Sequence, residues 1–525
     1  MKKINRLTAT KQLLVAFFAI FVVAPLAVML FQMRDVEVWT LFASEQFQEK
    51  LHNSLFLATT ATICSVSLAL LLAFCVTRSN IKHKNWLVAI FTLPMLIPSI
   101  SHGMGLIILF GANGIITNLF HLKSSIYGFG GVLLGSVLYS FPVAYLMLQD
   151  VLQYEDYSPY EAAQVLGIPH KNRFFSITLP YLKRPMISVV FAVFTLVITD
   201  YGVPLMIGGK FATLPVMMYQ EVIGLLNFGK GSVIGAVLLV PALVAFITDL
   251  LNQSQSGNSF VVTRIKVKEN LLRDRVCIIF CVGVCSFVLL PIVAFCAISL
   301  MKKYPTDITF SLYNVIKTFK MNAGIYLRNS LIIAACVSVV GTVFAYITAY
   351  ISSRTSGKSS KVLHLFSITS MAIPGLVLGL SYALFFKSSF LYGTILILIL
   401  VDMIHFFSSP YLMAYNSFNK VNENLEAVGA TLGVSRLHIL MDVIVPQTKE
   451  TILEMFSYFF VNCMMTISAV SFLYTTSTMP VSLLITQFEA QMLLECSAFI
   501  SIVILGINLI LKAFILYAKR KIREN

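Results

Sequence analysis

The sequence predicts an all-α membrane protein of about twelve transmembrane helices, arranged as two parallel six-helix repeats. Three observations predict it. The chain is 58% hydrophobic and only 12% charged, with a mean hydropathy of +0.85. Its apolar runs often reach about 18 residues or more, enough to cross a bilayer as helices. The runs are continuous rather than alternating, which excludes an outer-membrane barrel. Finally, a set of punctuating residues recurs at a near-fixed offset along the chain.

Spans are expected near 13–33, 53–77, 86–111, 130–150, 186–207, 231–250, 276–300, 329–351, 363–386, 391–416, 450–472 and 495–517. The first follows Lys2, Lys3, Arg6 and Lys11, as a signal peptide would. Its apolar core is too long for one, and no small-x-small cleavage site follows, so an uncleaved span is expected. An even number of spans puts both ends on one side. More than twice as many of the 38 Lys and Arg fall in segments on that side as in the opposite loops. By the positive-inside rule both termini are then cytoplasmic. The strongest anchor is Arg264-x-Lys266-x-Lys268 with Arg273 and Arg275, at the junction of the halves.

The net charge of +15 is therefore an orientation signal. No basic and aromatic stretch outside the spans is long enough for a nucleic-acid platform, so the expected surroundings are a lipid bilayer and no nucleic acid. The nine cysteines all fall in apolar runs and form no Cys-x-x-Cys pair. Cys277, Cys281 and Cys285 share one helical face, which offers too few ligands for a metal, and they are read as small packing residues.

The repeat is visible in "NSLFLATTATICSVSLALLLAFCVTRS" from Asn53 and "NSLIIAACVSVVGTVFAYITAYISSRT" from Asn329. Asn53, Arg78, Pro98 and Gly103 shift by 276 positions onto Asn329, Arg354, Pro374 and Gly379, and Gly167 and Pro180 shift by 266 onto Gly433 and Pro446. Six spans per half keep both copies in one orientation, so the repeat is parallel, about an axis along the membrane normal. The expected divisions are an N-terminal tail, first span and outer loop (1–48), a first module (49–250), a linker with the seventh span (251–325), a second module (326–517) and a tail (518–525).

Each half also carries a polar, glycine-punctuated stretch between its fourth and fifth spans, on the predicted cytoplasmic side. The first is "YEAAQVLGIPHKNRFFSITLP" (160–180), the second "LEAVGATLGVSRLHILMDVIVP" (425–446). Ser158 is placed to cap a helix, with Pro159 at its first position and Glu161 reaching back as in a capping box. Ala162 and Ala163 make a thin, close-approach face, and Gly167 ends the helix in a left-handed cap. Pro169 opens a second short helix that runs toward Ile177 and Pro180 before the chain re-enters the membrane. In the later copy Asn424 is the expected cap, and the register position of Glu161 falls on Ala427, with Glu426 one residue early. Such paired, exposed knobs suit a soluble partner acting on both halves together.

Glu161-Ala162-Ala163 with Gly167, followed by Ile177-Thr178-Leu179-Pro180, resembles the coupling-loop signature of bacterial binding-protein-dependent ABC importer permeases of the type I class. The resemblance covers nearly the whole chain as two fused permease modules. It implies the type I ABC importer permease fold, in a multi-pass protein of the bacterial plasma (inner) membrane. Implied partners are a dimer of ABC ATPase subunits at the cytoplasmic face and an extracytoplasmic solute-binding protein. ATP and Mg would be bound by the ATPase, with no cofactor in this chain. Carried over residue by residue, Glu161, Ala162, Ala163 and Gly167 would be the first ATPase-coupling contact and Glu426, Ala427 and Gly433 the second. Fused permeases of this length resemble the iron(III) and 2-aminoethylphosphonate group. "ITDYGVPLMIGG" (198–209), "GAVLLVPALVAF" (235–246) and "TISAVSFLYT" (466–475) look more like the phosphonate branch, making 2-aminoethylphosphonate the expected solute and iron(III) the alternative.

No catalytic constellation stands out, so the chain reads as a non-enzyme. Gly224-LLNF-Gly229-Lys230 approaches a phosphate loop, but Gly231 replaces the Ser or Thr that would bind magnesium and no strand precedes it. Ionisable groups inside spans mark paths or inter-helix bonds. Asp200 beside Tyr201, Asp402 three residues from His405, and Asn462 with Thr466 on one face are the candidate translocation-path residues; His102 is a further ionisable residue, in the third span. Read as charged coupling pairs, Asp402 and His405 would also suit an ion-driven secondary transporter, a class that leaves the duplicated loops unexplained.

Overall fold

The computed structural model describes residues 2–121, 125–253, 267, 269–355, 357–422 and 424–524. The anchor residues Arg264, Lys266 and Lys268 lie outside them. Among the described residues, nine helices are long and apolar enough to cross a membrane, or up to eleven if each of two bent pairs is one span.

The helices depart from the expected spans where the backbone breaks, and among the described residues the run at 450–472 is the one that supplies no candidate span. A proline lacks an N–H and forces the preceding residue out of the helical region. The run expected at 86–111 is accordingly split. Helix Lys84–Thr92 ends in a 3₁₀ turn, Ile97 is extended at φ −125°, and helix Ser99–Phe110 starts after Pro98. Its counterpart at Pro374 turns by 108° between Lys358–Ala372 and Gly375–Phe385. The run expected at 186–207 breaks between Ile198 and Gly202. That expected at 450–472 ends as a 17-residue helix at Met465, with Thr466 extended.

The chain forms two compact units. One comprises Trp39–Met217 with Val240–Ser311, and the other Met1–Val38, Met218–Leu239 and Leu312–Asn525. In the former, helix Glu45–Arg78 packs along helix Phe129–Gln153 through small residues that let the backbones approach. Ala58, Ala61, Ala69 and Ala73 are buried against Leu138, Phe141, Ala144 and Tyr145, and the Ser65 and Ser140 hydroxyls bond at 2.7 Å. Helix Leu271–Ser299 sets Cys281, Cys285 and Val288 into this same core, the two cysteines serving as packing groups.

In the other unit, helix Ala323–Ser353 packs on helix Lys449–Met465, where a Cβ on Gly341 would stand 2.9 Å from the Phe459 ring. The N-terminal helix joins this unit through aromatic contacts, Phe17 to Phe344 at 4.6 Å and Phe18 to Phe407 at 5.1 Å. The Tyr382 hydroxyl donates to the Phe21 carbonyl at 2.7 Å, and the buried Lys11 ammonium to the Ser360 hydroxyl at 2.8 Å.

The repeat recurs in specific bonds. Asn53 donates to the Ala212 carbonyl at 3.1 Å, and the Ser54 hydroxyl accepts from the Leu214 N–H at 2.7 Å. In the second copy Asn329 donates to the Ser477 and Met479 carbonyls at 2.8 and 3.4 Å, and Ser330 accepts from the Val481 N–H at 2.8 Å. Gly103 and Gly379 are also equivalent. A Cβ on either would collide with the matching segment, at the Met206 Cβ (2.9 Å) and the Ala469 carbonyl (2.5 Å) respectively.

Two stability outcomes follow. Gly341→Leu should overpack the Phe459 contact and destabilise by about 1–3 kcal/mol, whereas Gly283→Leu, with nothing within 4 Å of its Cβ position, should be neutral; thermal unfolding in detergent compares them. Asn329→Ala, losing two carbonyl contacts, should destabilise more than Asn53→Ala, which loses one, each on the order of 1 kcal/mol by the same assay.

Candidate functional site

Helix Ser158–Val165 begins at an Asx turn. The Asp156 carboxylate accepts from the Ser158 N–H at 3.2 Å and from its hydroxyl at 2.9 Å. Ser158 is thus the first helical residue, with Asp156 serving in place of the expected capping box. The second copy repeats this arrangement, with the Asn422 side-chain oxygen accepting from the Asn424 N–H at 3.0 Å ahead of helix Asn424–Thr431.

Both helices stop at a left-handed glycine, Gly167 at φ +68° and Gly433 at φ +73°. The chain then closes with a bond five residues back, from Ile168 N–H to Ala163 O and from Val434 N–H to Gly429 O, each 2.9 Å. This is a Schellman-type end, and only glycine takes that φ without strain. The following helices, His170–Arg173 and Arg436–Ile439, do not stop at Pro180 and Pro446. Each passes into a π turn, Phe174–Thr178 and Leu440–Ile444, in which the chain closes five residues back. The wider turn accommodates the proline, and the helical path runs on toward the membrane.

A charged tether holds each loop. Arg78, the last residue of its membrane helix, pairs with the buried Glu155. Glu155 also accepts from the Tyr160 hydroxyl at 2.6 Å, and Tyr160 meets the Thr178 hydroxyl. Burial, then the Glu155 carboxylate, push the Tyr160 phenol up to about 12. In the second copy Arg354 donates to the Phe418 and Val421 carbonyls at 2.9 and 2.8 Å and forms an ion pair with Glu426 at 3.5 Å.

These placements redistribute the expected contact residues. Glu161 and Ala162 are exposed, but Ala163 is only 4% exposed and faces inward. Its counterpart Gly429 is buried too, with Ile439 packed 2.2 Å from where a Cβ would stand. Glu426 is turned to Arg354, while Ala427 is exposed. The outward faces are apolar, with Val165 (88% exposed) and Leu166 (75%) on the first copy and Val428 and Leu432 (73%) on the second. These residues, Gly429 and the two arginines' tethering role escaped the sequence reading. The offset of 266, applied beyond Gly167, pairs Ala163 with Gly429 and Asp156 with Asn422.

Within the spans, Asp200 is a helix cap. Its carboxylate accepts from the Gly202 and Val203 N–H groups at 3.2 and 3.0 Å, and from the Ser99 hydroxyl. Tyr201 beside it is buried. In the other unit Asp402 is 1% exposed, and its Oδ1 has no hydrogen-bond partner among the described residues; neither has His405 Nδ1. His405 Nε2 and Ser468 Oγ crowd the open backbone of Gly375, at 3.1 and 2.2 Å from its Cβ position. His405 thus stands near two helix breaks, at Pro374 and at Thr466, with Asp402 one turn before it on the same helix. Asn462 is occupied within its own helix, donating to the Tyr458 carbonyl at 2.7 Å, and the Thr466 carbonyl accepts from Ser482 at 2.6 Å. His102 is buried, its ring 5.8 Å from Tyr139.

Comparison with known proteins adds the family. Residues 65–255 and 341–524 each match the model of the binding-protein-dependent transport system inner membrane component. The ferric transport system permease protein FbpB of Actinobacillus pleuropneumoniae is 26% identical over 81% of this chain, which spans 64% of that relative. A second relative named for ferric transport, FbpB 1 of Haemophilus influenzae, is 26% identical over 89% of this chain and 77% of its own. The sulfate transport system permease protein CysT of Salmonella typhimurium is 26% identical over 48% of this chain and 93% of its own length. The two family matches fall one in each repeat, and the chain belongs to the binding-protein-dependent inner-membrane permeases of ABC importers, as two modules fused in one polypeptide.

Proposed function

We propose that this chain forms the membrane pathway of an importer for iron(III), driven by a separate dimer of ABC ATPases and supplied by an extracytoplasmic solute-binding protein. The observation that carries the reading is the pair of glycine-ended helices at matching places in the two copies, each presenting apolar side chains to solvent. Isolated apolar residues on a surface mean little, but one equivalent knob per copy, both expected on the cytoplasmic side from loop charge, suits two equivalent clefts of an ATPase dimer. The two relatives named for ferric transport favour iron(III) over the 2-aminoethylphosphonate suggested by short sequence stretches. The protein would sit in a bacterial inner membrane with both termini cytoplasmic. ATP and Mg would be held by the ATPase, with no cofactor on this chain.

In this reading the first contact is made by Glu161, Ala162, Val165 and Leu166, with Ala163 and Gly167 shaping the helix from within. The second is made by Ala427, Val428 and Leu432, with Gly433 setting its end. Glu426 acts through Arg354, holding the helix to its membrane span. Asp402 and His405 lie along the path. The deciding experiment is reconstitution of the chain with its ATPase and binding protein in liposomes, followed by ATP-dependent uptake of iron(III) and of 2-aminoethylphosphonate. Uptake of the phosphonate alone would reject the iron assignment, and uptake of neither solute would reject both.

Leu166→Ala and Leu432→Ala should each weaken ATPase docking by about tenfold, since burying a leucine contributes about 1.5–3 kcal/mol. Gly167→Val should abolish solute-stimulated ATP hydrolysis while the protein still inserts, because valine is strained at positive φ. Unchanged stimulation in all three variants would rule out docking at these knobs. Asp402→Asn should lower uptake several-fold at unchanged expression and thermal stability; wild-type uptake would make Asp402 a packing group.

A further inference from the structure

Helices Lys449–Met465 and Leu494–Glu524 leave a groove of 470 Å³ between them, at the end where the second glycine-ended loop enters the membrane. Its walls are Ile452, Leu453, Phe514, Ala518 and Ile522, and Lys449 and Lys521 stand at its rim. The basic residues around that rim are not alike. Lys519 pairs with Glu454, Arg520 with Glu524 at 2.9 Å, and Arg523 grips both oxygens of Glu450 at 2.9 and 2.8 Å. Lys449 and Lys521 have no ion pair or hydrogen bond among the described residues, and both are exposed. Along the same helix Phe514, Leu516 and Tyr517 are more than half exposed, a surface suited to acyl chains, with the tyrosine near headgroup level.

We propose that this groove holds one anionic phospholipid of the leaflet on the loop side. Its phosphate would lie between the Lys449 and Lys521 ammonium groups, and an acyl chain would lie over Leu453 and Phe514. Two unpaired cations above an apolar trough in a membrane surface match the charge and amphipathy of such a lipid. A zwitterionic lipid would bring its own cation to the same rim, and a free anion would leave the apolar walls uncovered. Each lysine near an anionic lipid surface is worth about a fivefold gain in binding, so the pair should give roughly 25-fold.

Native mass spectrometry of the full chain, titrated with dioleoyl phosphatidylglycerol or dioleoyl phosphatidylcholine, reads this directly. The expected result is one tightly retained phosphatidylglycerol, outlasting phosphatidylcholine and unaffected by excess inorganic phosphate. The double variant Lys449→Gln, Lys521→Gln should lose that preference, while the exposed Lys387→Gln keeps it. Equal retention of the two lipids by the unmodified chain, displacement by inorganic phosphate, or full preference in the double variant would each overturn the proposal. The first two comparisons use the unmodified protein, so they decide the matter even where a variant fails to fold.

Discussion

Inside hydrocarbon a backbone N–H or carbonyl has no water to bond, and every interruption of a helix must be answered from within the protein. This chain interrupts its helices repeatedly within and beside its apolar runs, and the answers organise both units. Asn329 and Ser330 on one helix satisfy the carbonyls and N–H of the irregular segment at 477–481, while Ser482 satisfies the carbonyl of Thr466. Asn53, Ser54 and Asp200 do the equivalent work in the first copy. These are short polar side chains set into otherwise apolar helices, each placed where its residue is worth more as a bond than as hydrophobic surface. The breaks create the close approaches at Gly103 and Gly379, and beside them lies His405, whose Nδ1, like Oδ1 of Asp402 one turn away, has no hydrogen-bond partner among the described residues.

Outside the apolar core the same logic is carried by charge. An arginine stands at the end of a long membrane helix in each copy, last in the helix at Arg78 and just after it at Arg354, and holds the loop that follows two spans later, through Glu155 in one case and Glu426 in the other. The loops are otherwise built from local rules, an Asx turn at the start and a left-handed glycine at the end. A rigid root and a small, defined tip are what a mechanical contact requires.

Much of this was legible because it is local or repeated. The duplicated Asn, Arg, Pro and Gly positions announced two copies, and Gly167 and Gly433 announced their left-handed turns. Hydropathy reports side chains, however, and is blind to a backbone that breaks within an apolar run, so the helix end at Met465 was invisible. Helix rotation decides which of two adjacent alanines faces solvent, and nothing local distinguished Ala162 from Ala163. The partner of Glu426 lies far back in the chain at Arg354, and a long-range ion pair leaves no trace in spacing. Asp200 stood out because a carboxylate in a span is rare, but its use as a cap depends on a break that hydropathy does not report.

The two loops share a skeleton yet differ in chemistry. The first carries an acidic group at a position where the second carries the methyl of Ala427, and its turn is capped by Asp156 where the second uses the neutral Asn422. When two identical subunits form such an assembly, any substitution in a loop is inherited by both sites at once and must suit both. Joining the modules in one polypeptide releases that restriction. Each copy can then differ on its own, and in this molecule the two loops keep a common glycine-ended geometry while presenting different side chains.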